Sequence, residues 1–317
     1  MPDAAPLVSV IVPAYNVSEW ISQALGSVHA QTMDDLEVIV VDDGSTDGPA
    51  LDTALAPFRD RLTLIRQPNQ GVAAARNAAA RVAKGKWLAF LDGDDTWAPR
   101  FLEAQLDLAV RHSWGMIWSN GRVIGDLARA GQLMLPATVH PDPVTLRGLI
   151  CQEFFVITSA TVVSAEVFRA AGGFNESLRR AQDFELWARL LHAGIRAGYN
   201  PTPLVQYRIR EASLSGDDLQ QVDRALAVMR HLQTTLGHDP EVSTMLRDRH
   251  ATLVGSRALL QAKDHLRERR YREARLAVGA AGGSMGRSKR RALQVGLLLA
   301  PGLTRWAYLR FFADGRA

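Results

Sequence analysis

Four short runs of β-branched and aliphatic residues recur near the start of the chain: LVSVIV (7 to 12), LEVIVV (36 to 41), LTLI (62 to 65) and WLAFL (87 to 91). None alternates strictly with polar residues, which is the pattern of strands covered on both faces. Helical periodicity separates them. SEWISQALGSVHAQ sets Trp20, Ile21, Ala24, Leu25 and Val28 on one side, GVAAARNAAARVAKG is alanine-rich and closes on Gly85, and PRFLEAQLDLAVRH opens with Pro99 at a helix-start position. Strands and helices that alternate through short links predict an α/β fold with a doubly wound, mostly parallel sheet.

Each of these strands ends in polar or special residues: PAYN after the first, DDGSTDG after the second, QPNQG after the third and DGDD after the fourth. In doubly wound sheets ligands bind beyond the carboxyl ends of the strands, so all four ends are expected to face one crevice.

From about 115 to 165 the pattern shifts to shorter, less regular strands, GMIWSN, QLMLP and SATVVS. QDFELWARLLHAG then predicts an amphipathic helix with Phe184, Trp187, Leu190 and Leu191 on its apolar side, and PLVQYRI one more strand. Beyond residue 216 strand signals vanish, and RALLQAKDHLRERRYREARLAVGAAG has the look of a helical hairpin. Two regions are expected: an α/β domain over 1–215 and a helical C-terminal extension over 216–317.

With 317 residues, 47% hydrophobic and 22% charged, the chain has the makeup of an ordinary globular protein. The net charge of +4 is unevenly spread, with acidic clusters in the first third and arginines crowding the last. Its one cysteine, Cys151, excludes an internal disulfide and a cysteine-cluster metal site, and beside the apolar run FFVI it reads as a packing thiol. No secretory signal pattern and no run of eighteen apolar residues are present, so a cytoplasmic location is expected, with the inner membrane face as a variant of it. The arginines of HLRERRYREAR are interleaved with glutamates, the pattern of a solvated helix face, and no nucleic-acid partner is expected. P-loop, H-E-x-x-H and G-x-S-x-G patterns do not occur.

The chemistry concentrates in carboxylates. Asp92, Asp94 and Asp95 fall within four positions at the end of a buried strand. There they repel one another, at about 1.4 kcal/mol for each unit of raised pKa. Two readings account for them. One is an acidic turn opening the helix at Pro99. The other is a hard divalent cation, Mg²⁺ or Mn²⁺, which takes one or two protein carboxylates and leaves its other positions to water and phosphate oxygens. Asp42 and Asp43 end the second strand before a Gly-rich turn, where a carboxylate can accept from a nucleobase N–H or ribose hydroxyls. Ser45, Thr46 and Asp47 read equally as a turn and helix cap.

Taken in order, VSVIVPAYN, QTMDDLEVIVVDDGSTDG, NQGVAAARNAA, WLAFLDGDD and QDFELWARLL resemble the family-2 inverting nucleotide-sugar glycosyltransferases of the GT-A fold, over about residues 7 to 215. The resemblance implies transfer of a sugar from a nucleoside-diphosphate donor to an acceptor hydroxyl, with inversion and with Mg²⁺ or Mn²⁺. By motif it implies that Pro13, Ala14 and Tyr15 line the base pocket, that Asp43 holds the base, and that Arg76 and Asp92 lie at the nucleotide. Asp94 is implied as the most direct metal ligand and Asp183 as the base that takes the acceptor proton, with Glu185 the fallback. Gln182, Trp187 and Arg210 are the implied contacts to diphosphate or acceptor, a glycan or lipid-linked glycan of bacterial-type surface polysaccharide.

Two positions depart from the family pattern. Gln182 stands where many relatives have Glu, and Arg210 where the family often has His after Tyr-Arg; arginine cannot ligate metal but clamps phosphate. A catalytically silent sugar-nucleotide or glycan-binding module of the same fold is the rival reading. A nucleotidyltransferase would need a basic, Gly-rich N-terminal loop, and VPAYNVSEW is not one.

In the tail, GRSKRRALQVGLLLAPGLTRWAYLRFF sets cations against Leu293, Val295, Leu297, Leu298, Leu299, Trp306, Tyr308, Phe311 and Phe312. This segment suits either packing as terminal helices on protein, a homodimer partner included, or peripheral contact with an anionic membrane.

Overall fold

A computed structural model describes residues 5–125, 128–210 and 218–311. The chain forms two compact units, Met1–Glu211 and Ala212–Ala317.

The first unit runs β1 (Val8–Ala14), α1 (Ile21–His29), β2 (Leu36–Asp42), α2 (Gly48–Leu55), β3 (Thr63–Arg66), α3 (Val72–Val82), β4 (Trp87–Phe90), β5 (Thr96–Trp97), α4 (Phe101–His112), β6 (Met116–Ile124), α5 (Leu146–Cys151), β7 (Thr161–Ser164), α6 (Ala165–Ala170), α7 (Gln182–His192) and β8 (Ala197–Arg208). The sheet order is β3-β2-β1-β4-β7-β6-β8-β5. β3, β2, β1 and β4 are mutually parallel, and so are β6 and β8, while β7 is antiparallel to both its neighbours and β5 to β8. The predicted mostly parallel α/β sheet is thus present, with an antiparallel strand inserted at its centre.

Every residue of β1 is buried, as its unbroken apolar run requires of a central strand covered on both faces. The alanines of α3 allow that helix to lie close against β1 and β2, so that Arg76 and Asn77 become buried with them. Sequence and structure differ at three places. QLMLP is not a strand: only Leu133 bridges Arg122, and Leu135 is instead held by hydrogen bonds between its main chain and the Asn120 amide. Trp20 precedes α1 rather than joining its apolar face. The buried side of α7 is Gln182, Glu185, Leu186, Trp187, Ala188 and Leu190, with Phe184 and Leu191 only half-buried. Cys151 ends α5 as a free, half-buried thiol.

The second unit is helical: α8 (Asp218–Thr235), α9 (Pro240–Arg267), α10 (Tyr271–Ala280), α11 (Arg287–Leu299) and α12 (Pro301–Phe311). Asp239 caps α9, its Oδ1 accepting from the N–H groups of Glu241 (2.9 Å) and Val242 (3.2 Å), with Pro240 at the first helical position. The hairpin expected over 257–282 forms from α9 and α10. Its core holds Ala262, Leu266, Ala274 and Val278 together with Leu297 of α11 and Tyr308 of α12, and Leu293 packs against it. The Phe311 side chain and Phe312 lie outside the described residues.

Candidate active site

The ends of β1, β2 and β4 are tied to one another by main-chain contacts. Asp43 N–H donates to Ala14 O at 2.9 Å, and a Cβ at Gly93 would stand 3.3 Å from Pro13 O and 3.0 Å from Val17 Cγ2. The D-x-D turn therefore passes close enough to the end of β1 to favour glycine at its middle position. Pro13 and Ala14 are buried, so main chain is what they offer a ligand, whereas Tyr15 is 45% exposed.

Asp43 is buried, and its carboxylate accepts from Gln67 Nε2 (2.7 Å), Gln70 N (2.9 Å) and Gly71 N (2.8 Å). It thus fixes the loop that leads into α3. Gly44 has φ +72° and lies over Asn69, where a side chain would collide with the main chain at 2.7 Å. The expected capping by Ser45 and Asp47 is corrected: neither side chain caps α2. Ser45 Oγ instead accepts from Asn16 N (3.2 Å) and Asp47 Oδ2 from Ser18 N (3.1 Å), while Asn16 Oδ1 accepts from Thr46 N (2.8 Å). These side chains lace the PAYN loop to the DDGSTDG loop.

The second acidic group follows β4, and each of its carboxylates meets an arginine residue. Asp92 pairs with Arg76, which is buried over the Phe174 ring, with Nε and Nη1 unpartnered. Asp94 Oδ2 is 2.7 Å from Arg210 Nη2. Asp95 Oδ1 accepts from the Arg208 main-chain N–H at 2.7 Å; its Oδ2 is buried and meets no donor in good hydrogen-bonding geometry, although the Ser159 hydroxyl also bears on this carboxyl. The cations do not relieve the crowding. Burial, then the charge of Asp92, raises the Asp94 carboxyl above its ordinary value against the opposing pull of Arg210. Burial, then Asp94 and Asp92, pushes Asp95 well above the ordinary value.

Asp183, at the head of α7, belongs to the same region. The 3₁₀ turn Thr158–Ala160 links it to Asp92: Thr158 Oγ1 donates to Asp183 Oδ2 at 2.8 Å, and Ser159 Oγ accepts from Asp92 N at 3.1 Å. Two adjacent residues thus hold the first D-x-D carboxylate's backbone and the carboxylate of α7. The Tyr207 hydroxyl is raised by burial first and then by the charges of Asp95, Asp92, Asp94 and Asp183, so the field of all four acids acts on that phenol. Arg210 and Arg208 also stack on the Trp20 ring, at 4.9 and 5.9 Å.

Two expectations need correction. Glu185 is buried and bound in bidentate fashion by Arg189 (both contacts 2.8 Å), which also donates to Ala171 O and to Gly173 O (2.7 Å). It pins the loop before α7 and has no free face for an acceptor, so it is not a fallback base. Trp187 is 1% exposed, packed 6.0 Å from Phe174 and 6.4 Å from Phe90, and cannot touch an acceptor. It supports the Phe174 ring on which Arg76 rests. Gln182 is buried, with Oε1 lacking a partner.

Sequence reasoning did not single out Thr158, Ser159, Tyr207, Arg208 or Trp20 as site residues. Only the hydroxyl pair TS between the apolar run FFVI and the strand TVV offered a signal, because adjacent polar residues buried at a strand entrance need partners.

Residues 9–170 match the profile of Glycosyl transferase family 2. The chain belongs to that family. A similar relative is the Succinoglycan biosynthesis protein ExoO of Rhizobium meliloti, 32% identical over 286 residues, covering 86% of this chain and 76% of ExoO. Another, the Escherichia coli enzyme WfgD, named as a UDP-Glc:alpha-D-GlcNAc-diphosphoundecaprenol beta-1,3-glucosyltransferase, is 27% identical over 70% of this chain and 85% of its own length. Some relatives are much longer: the chain spans 31% of an uncharacterized glycosyltransferase of Rickettsia felis to which it is 27% identical over 59% of this chain. Among solved structures, S. aureus TarS 1–349 in complex with UDP-GlcNAc superposes with TM-score 0.64 at 19% identity, covering 96% of this chain and 91% of that one. The mannosyltransferase PcManGT from Pyrobaculum calidifontis, in complex with GDP-Man and Mn2+, gives 0.60 at 21%, covering 98% and 84%. The family match and these neighbours identify the fold as GT-A, and the family's relatives include proteins named for polysaccharide biosynthesis.

The family implies a divalent metal, and the residues present fit one of a particular kind. Among the described residues no group of three or more His, Cys, Asp or Glu side chains could hold a metal by itself. Asp94, in a turn crowded with negative charge beside the buried Asp95 Oδ2, fits a cation completed by substrate phosphates and water. Arg210 stands at that carboxylate in a contact such a cation would share or replace.

Proposed function

We propose that the protein transfers a sugar, with inversion and with Mg²⁺ or Mn²⁺, from a nucleoside-diphosphate donor to the hydroxyl of a glycan or lipid-linked glycan in bacterial-type surface polysaccharide synthesis. The observation that carries this reading is the pairing through Thr158 and Ser159, which sets Asp183 beside the D-x-D turn. A proton acceptor and a phosphate-binding acidic turn within one small region are what direct displacement needs.

In this mechanism the nucleoside lies against the Pro13–Ala14 main chain and Tyr15, with Asp43 accepting from its base or ribose. A divalent cation held by Asp94 would neutralise the charge that grows on the diphosphate as the glycosidic bond breaks. Arg76 keeps Asp92 turned into the turn, and Arg210, a bidentate donor carried on the Trp20 ring, contacts the diphosphate. Asp183, oriented by Thr158, takes the acceptor hydroxyl's proton as its oxygen attacks the anomeric carbon.

Relatives support the choice of ligands: TarS and PcManGT were solved with UDP-GlcNAc and with GDP-Man and Mn2+, and the name of WfgD specifies a diphosphoundecaprenol-linked acceptor. We place the reaction in the cytoplasm, a reducing compartment compatible with one free cysteine. The test is incubation with a panel of nucleotide sugars, Mn²⁺ and diphosphoundecaprenol-linked acceptors, followed by NMR of the product's anomeric configuration. Release of nucleoside diphosphate with an inverted product supports the reading. Tight donor binding with no turnover on any acceptor, or a retained anomer, contradicts it.

A further inference from the structure

The end of the helical unit carries an exposed apolar surface joined to a strongly cationic one. In α11, Arg287, Arg291, Val295 and Leu298 follow the spacing i, i+4, i+8, i+11 and share one side of the helix, opposite the side on which Leu293 and Leu297 enter the core. Arg287 and Arg291 are exposed, Val295 is 53%, Leu298 61% and Leu299 76% exposed. After Pro301 the apolar surface continues on α12, with Leu303 at 67% and Trp306 at 51%, the latter beneath the Arg310 guanidinium at 5.4 Å. Scattered surface hydrophobics need no explanation, but five large ones on two consecutive helices do.

We infer that this face of α11 and α12 docks on the surface of a membrane rich in anionic lipid. Charge decides among the occupants. Between Glu273 and Asp314 the sequence has seven Lys and Arg and no acidic residue, so α11 and α12 themselves carry one sign of charge only. A second copy meeting it through a two-fold axis would set these cations against their own images, an arrangement that like-charge repulsion opposes. Lipid phosphates supply the opposite sign, and the headgroup boundary takes Trp beside Arg. The segment lies on the bilayer and does not cross it, because among the described residues no helix is long and apolar enough to span one. The inference does not depend on the proposed transfer reaction.

The test is co-sedimentation of the full chain with vesicles of phosphatidylcholine alone or with one part in three of phosphatidylglycerol, at low and raised salt. The protein is expected to sediment with the anionic vesicles, to remain in solution with the neutral ones, and to be released by salt. Arg287→Gln with Arg291→Gln should weaken partitioning about 25-fold, roughly five-fold for each cation lost. Leu299→Glu with Leu303→Glu should abolish it. All four side chains are exposed, and an unchanged melting curve checks that both variants fold. Three results would overturn the inference: protein left in the supernatant with anionic vesicles at low salt, equal sedimentation with neutral vesicles, or a dimer that Leu299→Glu with Leu303→Glu separates while lipid binding stays the same.

Discussion

The acidic pair that ends β2 and the acidic group that follows β4 use the same side chain in opposite electrostatic situations. Asp43 accepts from two main-chain N–H groups and one amide, supplied by a loop that closes over it. Asp94 and Asp95 press on one another and on Asp92, are raised by burial and mutual charge, and leave one buried oxygen without a well-placed donor in spite of the neighbouring arginines. The first site is organised in advance and suits a neutral ligand edge of fixed geometry. The second is unsatisfied until positive charge arrives. Under the proposed function the two clusters would hold the two halves of a sugar nucleotide by different physics, hydrogen-bond geometry at the nucleoside and charge neutralisation at the diphosphate.

The sharpest way to break this comparison is to neutralise the unsatisfied end. Asp94→Asn should cut turnover by about 10²- to 10³-fold, the scale of losing one preorganised electrostatic contact to the leaving group. Added Mn²⁺ should then no longer raise the melting temperature. Asp183→Asn should lower turnover by about 10²-fold or more while nucleotide binding persists, since only proton transfer is removed. Loss of nucleotide affinity in that variant would give Asp183 a structural role instead. Asp43→Asn should act on the other half, weakening nucleoside-diphosphate affinity by about ten-fold, the order of one hydrogen bond to a charged group, with a smaller change in turnover at saturating donor. Equal losses from Asp43→Asn and Asp94→Asn in both parameters would erase the distinction.

The smallest effect is one of stability. Asp95 has a folded pKa well above the unfolded value of about 3.9, so the fold binds more protons than the unfolded chain between those limits. Metal-free protein should therefore lose stability as pH rises from about 4 through that window. Asp95→Asn should flatten the decline, because Asn keeps an acceptor for the Arg208 N–H and carries no charge. A melting temperature whose pH dependence is the same in both proteins would show that Asp95 is not the strained group.

Much of this crevice is legible from the sequence because each of its strands is a continuous apolar run ending abruptly in acids, glycines or prolines. Asp43, Asp92 and Asp94 lie a few residues from such an end, and the local pattern brings them together. Thr158, Ser159 and Tyr207 come from the stretch where the sheet turns antiparallel, and their approach to Asp92 and Asp183 depends on pairings of β4, β6, β7 and β8 that no local period encodes. Trp187 and Glu185 show the converse limit. Both lie within about one turn of Asp183 in a motif that looks catalytic, yet α7 is buried around most of its circumference and encloses them, one in the aromatic cluster and the other against Arg189. Trp20 has the right apolar character for α1 but falls before the helix, where its ring instead carries two arginines.

The division of labour between the two acidic clusters is tested most directly by calorimetric titration of the wild type, Asp43→Asn and Asp94→Asn with a nucleoside diphosphate selected from a panel, and with its parent nucleoside, each with and without Mn²⁺. The account predicts that Mn²⁺ strengthens binding of the diphosphate but not of the nucleoside, that Asp94→Asn removes this enhancement, and that Asp43→Asn weakens both ligands while leaving the enhancement in place. An enhancement that survives Asp94→Asn, or one that disappears with Asp43→Asn, would contradict it.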